Sequence, residues 1–172
     1  MADVWFISDT HLGHKNILNF KRNDGTPLRP FSSTWEMEGC IFERWCEVVK
    51  PQDKIYHLGD VAFTKGSLER MLALPGHKRL VRGNHDLFKM KTYTRIFEEV
   101  YGVRQLDGFW FTHVPIHEGS MGQRVKLNVH GHLHANKVMS SPHIEDKRYY
   151  NVSVECIDYR PINFDELKAY AK

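Results

Sequence analysis

Five short apolar runs in this chain end in Asp, Asn or His, and this recurrence constrains the fold more than any other feature. The run Val4–Ile7 leads into Ser8-Asp9-Thr10-His11, and residues 54–58 lead into Gly59-Asp60. Residues 79–81 lead into Arg82-Gly83-Asn84-His85-Asp86, residues 109–112 into His113, and residues 125–129 into His130-Gly131-His132-Leu133-His134. Runs this short, alternating with helical patterns, specify an α/β fold rather than a bundle or an all-β barrel. In open α/β sheets ligands bind beyond the carboxyl ends of the strands. Five such ends would deliver their polar side chains to one place.

The segments between the runs complete the expected outline. Residues 21–33 are polar, contain Gly25, Pro27 and Pro30, and read as a loop. A helix is expected over 34–49, with a capping box at Ser33-x-x-Glu36 and a core face of Ile41, Trp45 and Val48; Pro51 ends it. A short helix follows over 67–73. Tyr93, Ile96, Phe97 and Val100 recur at helical spacing and predict an amphipathic helix. Asp107-Gly108 predicts a type I′ hairpin between 103–106 and 109–112. A strand is expected over 149–154, and Asn163-x-x-Glu166 should cap a helix over Phe164–Tyr170. No repeat or linker breaks the chain, so residues 1–172 read as one domain.

The ligand types at the strand ends are specific. Asp9, His11, Asp60, His113, His132 and His134 are metal-ligand types, and Asn84 adds a carbonyl oxygen. A single catalytic zinc uses three protein ligands and a water, so seven groups suit two metals with a shared carboxylate. In Asp9-x-His11 and His132-x-His134, alternate residues of an extended segment face the same way. Mixed imidazole and carboxylate ligation favours Mn, Fe, Zn or Ni over Ca or Mg. Two divalent ions, two carboxylates and a hydroxide leave about one net positive charge, which attracts an anion such as a phosphate ester.

Taken in order, Asp9-Thr10-His11, Gly59-Asp60, Gly83-Asn84-His85-Asp86, His113 and Gly131-His132-Leu133-His134 resemble the five motifs of the calcineurin-like metallophosphoesterases. The flanks from Asp9 to Ile17 and Arg29-Pro30-Phe31 look like those of small, stand-alone bacterial and phage members. The resemblance implies a four-layer α/β/β/α sandwich of two mixed sheets. It implies that Asp9, His11 and His134 hold one metal, that Asn84, His113 and His132 hold a second, and that Asp60 bridges them. Two divalent transition-metal ions are then the cofactors, Mn first, with Fe, Ni or Zn as alternatives and Mg less suited. A bridging hydroxide would attack phosphorus. The resemblance makes His85 the residue that protonates the leaving oxygen or steadies phosphoryl charge, and Asp86 a residue that orients His85 by a hydrogen bond.

Composition narrows the partners. Lys and Arg number 24 and Asp and Glu 21, a net charge of +3. This modest balance, without a basic stripe interleaved with aromatics, favours a small phosphate ester, of a nucleotide-derived kind, over DNA or RNA. A nuclease is therefore the weaker alternative and a catalytically silent metal-binding scaffold weaker still, since every motif residue is present. No apolar run is long enough to span a bilayer, the N-terminus has no signal-like pattern, and Cys40, Cys46 and Cys156 form no CxxC pair, so a reduced cytoplasmic setting is expected. His14, Asn16, His117 and Arg124 lie near the motifs and are candidates for contact with a ligand or phosphate. His57 reads as packing, His130 falls outside the motif pattern, and His77 and His143 read as surface. Trp5, Trp35, Trp45 and Trp110 read as core or edge packing.

Overall fold

A computed structural model describes residues 2–172. Two mixed sheets carry the chain. The first joins β1 (Val4–Ile7), β2 (Lys54–His57), β3 (His77–Val81) and β4 (Glu99–Tyr101) in parallel, with β11 (Ile162–Asn163) antiparallel on the free side of β1. The second has the order β10-β7-β6-β5, from β5 (Arg104–Leu106), β6 (Phe109–Phe111), β7 (Leu127–His130) and β10 (Tyr149–Asn151). Here β6, β7 and β10 are parallel and β5 is antiparallel to β6. A separate hairpin pairs β8 (Met139–Ser141) with β9 (Ile144–Glu145). The helices are α1 (Thr34–Val48), α2 (Lys65–Arg70), α3 (Met90–Tyr93) and α4 (Phe164–Tyr170). The expected architecture of two mixed sheets with helices is the one observed.

Side-chain alternation explains why the first sheet is buried on both faces. Trp5, Ile7, Ile55 and Leu80 belong to a core that includes Met37, Ile41 and Trp45 of α1 and Leu68 of α2. The intervening Phe6, Tyr56 and Val81 turn the other way, onto Phe109 and Phe111 of β6, Leu127 and Val129 of β7, and Phe164 and Leu167 of α4. Phe6 stacks on Phe111 with ring centroids 4.3 Å apart, which pins one sheet to the other.

Ser8 then ties the carboxyl ends of the sheets together. Its amide donates to Val152 O at 2.9 Å, its carbonyl accepts from Val154 N at 3.1 Å, and its hydroxyl donates to Leu58 O at 3.0 Å. The strand ends of both sheets therefore open onto one region. Among the described residues, no helix is long and apolar enough to cross a membrane.

Local expectations fared unevenly. Ser33 caps α1 by accepting from Glu36 N, but the Glu36 carboxylate reaches back one residue further, to the Ser32 amide at 2.8 Å. The Asn163 capping box and the 107–108 turn, with φ of 52° at Asp107 and 84° at Gly108, are present. The helix expected over 93–100 is not formed. Phe97 N still bonds Tyr93 O, yet Glu98 N then turns to Lys78 O and Val100 pairs with Leu80 as β4. The helical spacing recorded which residues are buried, while the parallel ladder with β3 decided the backbone. Trp35 is a further correction: it is 72% exposed, under the Arg70 guanidinium at 4.3 Å from its ring centroid.

Candidate metal centre

The polar strand ends are held in an unusual backbone. Asp9, His11, Asp60, His132 and His134 all have positive φ, between 48° and 68°. Such a conformation is uncommon for non-glycine residues and costs of order 1–3 kcal/mol each, so it persists only where the surroundings enforce it. Here they do. Asp9 N bonds Gly59 O, His11 N bonds Asp60 O, and Leu12 N bonds Val61 O. Gly83 and Gly131 allow the loops to close: a Cβ at Gly131 would collide with the side chains of Ser8 and Asp9, and one at Gly83 with that of Asp60.

Two groups of ligand-type side chains result. Asp9, His11 and His134 bring one ligand atom each to within 4.8 Å of one another, and so do Asp60, His113 and His132. Asp60 stands between the groups, with Oδ2 3.6 Å from His11 Nε2 and 3.4 Å from His113 Nε2. Asn84 Oδ1 lies 2.9 Å from His113 Nε2 and 3.0 Å from His132 Nδ1. All seven residues expected as ligands are thus brought together. Two of the atoms facing inward, Asp9 Oδ1 and His11 Nε2, are buried without a hydrogen-bond partner. Buried polar atoms are almost always satisfied, so these two mark places for a ligand, and the donor set of imidazoles, carboxylates and an amide oxygen fits a divalent transition metal.

Electrostatics in the cluster follow from crowding. Burial opposes ionisation of Asp9, but the His11 imidazole, 3.7 Å from its carboxylate, and the nearby His113 and His134 hold its carboxyl far below the ordinary range. Burial disfavours the imidazolium of His113, yet its hydrogen bond to Asp60 and the charges of Asp9 and Asp60 push it above its usual value. Burial dominates at His11 and pushes it down.

Around the ligand types lies a supporting layer that sequence spacing did not reveal. Glu155 Oε1 lies 3.1 Å from His134 Nδ1, which leaves Nε2 as the ring nitrogen free for a ligand. The same oxygen accepts from Arg29 Nε at 2.7 Å. Arg29 is fully buried, and its other nitrogens donate to the carbonyls of Thr10, at 2.9 Å, and Asp9. Both residues announce themselves weakly in the sequence, as charges set among apolar and proline neighbours. Ser153 Oγ and His132 N donate to Asp9 Oδ2. His14 Nδ1 lies 3.1 Å from His11 Nδ1, and its ring stacks on Phe63 at 3.9 Å, so His14 fixes the His11 ring.

Asp86 departs from its expected contact. Its carboxylate is buried and accepts from the amides of Asp60, Val61 and Gly83 at 2.8–3.0 Å, and not from the His85 imidazole. His85 faces outward on the same turn, and its own amide donates to Asp60 Oδ1 at 2.8 Å. Asp86 therefore positions the two motif loops, and His85 only through them. Burial, outweighing the three amides, raises the Asp86 carboxyl above its ordinary value. The His85 ring stands 5.9 Å from His11 and 5.2 Å from the half-exposed Phe63.

The remaining candidates lie apart. His117 caps its own turn by accepting from Gly119 N, and Asn16 and Arg124 are exposed. His77 and His143 are exposed, and buried His130 contacts the Gly131 carbonyl.

His57 is fully buried as packing. Its Nδ1 accepts from Gly59 N and its Nε2 contacts Thr10 Oγ1, whose hydroxyl donates to Val61 O; this fixes a neutral ring. Burial pushes its pKa from 6.5 down to about 3. Below pH 6.5 the unfolded chain takes up a proton that the folded one refuses, so stability falls with falling pH by about 1.4 kcal/mol per unit from this group. Urea titrations of chelated protein between pH 6 and 4.5 should show one proton less of pH dependence in His57→Gln, and equal slopes would refute this assignment.

Comparison with known proteins agrees with the geometry. A family model described as a calcineurin-like phosphoesterase superfamily domain matches residues 3–152. An uncharacterized protein of Methanocaldococcus jannaschii is 33% identical over 173 residues, covering 96% of this chain and 89% of that protein. The gene 66 protein of Mycobacterium phage L5 is 34% identical over 91 residues, 50% of this chain and 41% of that one. The crystal structure of a protein of unknown function from Aquifex aeolicus superposes with a TM-score of 0.73 at 31% identity, covering 98% of this chain and 99% of that one. With its motif residues gathered at the strand ends of two mixed sheets, the chain belongs to the calcineurin-like phosphoesterase superfamily.

Proposed function

We propose that the chain is a dinuclear-metal-dependent hydrolase of phosphodiester bonds. The observation that carries this reading is the position of Asp60, which belongs to one ligand group and lies within 3.6 Å of His11 in the other, together with the orphaned Asp9 Oδ1 and His11 Nε2. Asp9, His11 and His134 would hold one ion, His113, His132 and Asn84 the other, and Asp60 both. When bound, two divalent cations supply Lewis-acid charge and a water acidic enough to attack phosphorus. The mixed imidazole and carboxylate donors suit manganese, iron, nickel or zinc, and the family resemblance puts manganese first.

The chain's own residues supply the rest. Glu155 and His14 fix the rings of His134 and His11. Asp60 Oδ1 holds the His85 backbone, which sets that imidazole at the mouth of the cluster, where it can protonate a leaving alkoxide. A diester, which carries one phosphoryl charge where an ionised monoester carries two, gains most from such an acid, because its leaving group departs without a second charge to assist it.

The test begins with chelated protein reloaded with Mn, Ni, Zn, Fe or Mg, assayed on a bis-ester and a monoester of the same leaving group. Metal-dependent turnover favouring the bis-ester is expected; no turnover with any ion would sink the proposal. His85→Ala should lower kcat by roughly 10²–10³-fold, in the range of lost general acid catalysis, while ion content stays near that of the parent. Equal turnover in that variant would remove His85 from the chemistry.

A further inference from the structure

A groove of about 650 Å³ adjoins the two ligand groups, and His132 and His134, one from each, form part of its lining. One wall is the loop over 19–28, closed on itself by Arg22 N to Thr26 O and Leu28 N to Phe20 O, each 2.8 Å. The other wall is the 132–136 segment. Asn23 Nδ2 donates to Asn136 Oδ1 at 3.2 Å and bridges the walls.

The lining is mixed in a specific way. Phe20, Leu28 and Leu133 give an apolar surface, and the Phe20 ring is 46% exposed. The Asn23–Asn136 bond uses the NH2 of one amide and the carbonyl of the other. It leaves a carbonyl acceptor and an NH2 donor for the edge of a heterocycle. Lys21 and Arg22 stand on the same loop. The neighbouring acid, Asp24, is turned onto Thr26, accepting from both its amide and its hydroxyl. Several other surface cations are paired: Lys137 and Lys147 with Glu145, and Arg148 with Asp146 and Glu118. No ion pair engages Lys21 or Arg22 among the described residues, so two cations remain uncommitted beside a cluster that suits a phosphate.

We propose that this groove makes the substrate a nucleotide: one phosphate at the ligand groups, the base against Phe20, Leu28 and Leu133, and a second phosphate at Lys21 and Arg22. This inference rests on the phosphoesterase reading and adds its substrate class. The size suits it, since pockets for such ligands run roughly 300–1,000 Å³. The hydrogen bond between the Asn23 and Asn136 side chains limits the groove and favours a small nucleotide ester over a continuous strand.

The test is calorimetric binding to the full chain, as purified and again after chelation. The probes are adenosine 3′,5′-bisphosphate, ribose 5-phosphate, inorganic phosphate and a short oligonucleotide. The bisphosphate should bind at least roughly tenfold more tightly than inorganic phosphate, and Lys21→Ala with Arg22→Ala should cut that ratio by about tenfold, as expected for lost charge-assisted contacts. Phe20→Ala should narrow the gap between the bisphosphate and ribose 5-phosphate. Lys65→Ala, on α2 beside Glu69, should leave both ratios unchanged. An unchanged ratio in the Lys21/Arg22 variant, or a bisphosphate no tighter than phosphate, overturns the proposal. An oligonucleotide binding far more tightly than the bisphosphate overturns it in favour of a strand. Hydrolysis of simple bis-esters without nucleotide preference defeats the groove alone. Groove-dependent nucleotide binding without ester cleavage by any metal-loaded form defeats the phosphoesterase reading alone.

Discussion

Replacing Asp60 with asparagine is expected to lower metal-dependent ester hydrolysis by at least about 10³-fold, a loss of roughly 4 kcal/mol of transition-state stabilisation, and to reduce the ions bound per chain. The magnitude follows from position. Asp60 Oδ2 is within 3.6 Å of imidazoles from both ligand groups, so one substitution weakens both. Two divalent ions a few ångströms apart repel strongly, and a carboxylate shared between them is the group that offsets this repulsion. Asparagine keeps the shape and an oxygen able to accept from His85 N, the bond that holds the neighbouring turn at 2.8 Å. Chelated Asp60→Asn should therefore melt within a few degrees of the chelated parent, which separates a lost centre from a lost fold. Elemental analysis beside kcat/KM is the readout. Full ion content with parental activity would show that Asp60 is not shared, and the dinuclear reading would fall.

Much of this centre was legible because β1, β2, β3, β6 and β7 each spend their apolar residues in a sheet and then release a polar one at the end. Asp9, Asp60, Asn84, His113 and His132 sit two or three residues past the ends of buried strands, so their recurrence is visible in the sequence. What spacing could not carry was contact through space. Arg29 and Glu155 are 126 residues apart, and neither repeats a pattern. The Asp86 carboxylate likewise serves the amide of Asp60, a partner 26 positions away, where the motif suggested its neighbour His85. The error at 93–100 has a related cause. Tyr93, Ile96 and Phe97 are buried as a helix face would be, but Leu80 offered Val100 a ladder partner that no local window contains. The strands β8, β9 and β11, of two or three residues each, are too short for periodicity to register.

The second large effect concerns that long-range pair. Arg29→Met should destabilise the chelated protein by about 3–5 kcal/mol, since removing one partner of a buried ion pair leaves the other charge uncompensated. Both side chains are fully out of solvent, with Arg29 NH2 2.7 Å from Glu155 Oε1. Burial alone would raise the Glu155 carboxyl, but the Arg29 charge and the His134 hydrogen bond hold it below 4.5. In the parent this stabilisation is present above the unfolded value and disappears only as pH falls through the depressed one. In Arg29→Met the sign inverts, because the stranded carboxyl now prefers a proton in the folded state. The Glu155 contribution should then be most favourable below pH 4.5 and be lost as pH rises above that value, so urea titrations at pH 5 and 7.5 should show the larger deficit relative to the parent at 7.5. Adding Glu155→Gln should recover part of the loss, and a double variant worse than the sum of the singles would exclude a stranded charge as the cause. The site should feel the change too. Arg29 holds the carbonyls of Asp9 and Thr10, within the positive-φ turn that aims Asp9 and His11, so ion affinity should drop by roughly 10–100-fold, as for other groups that orient metal ligands. A variant within about 1 kcal/mol of the parent at pH 7.5 would show that water reaches Glu155 and that the turn stands without Arg29, because a relaxed, hydrated carboxylate forfeits most of the penalty of burial.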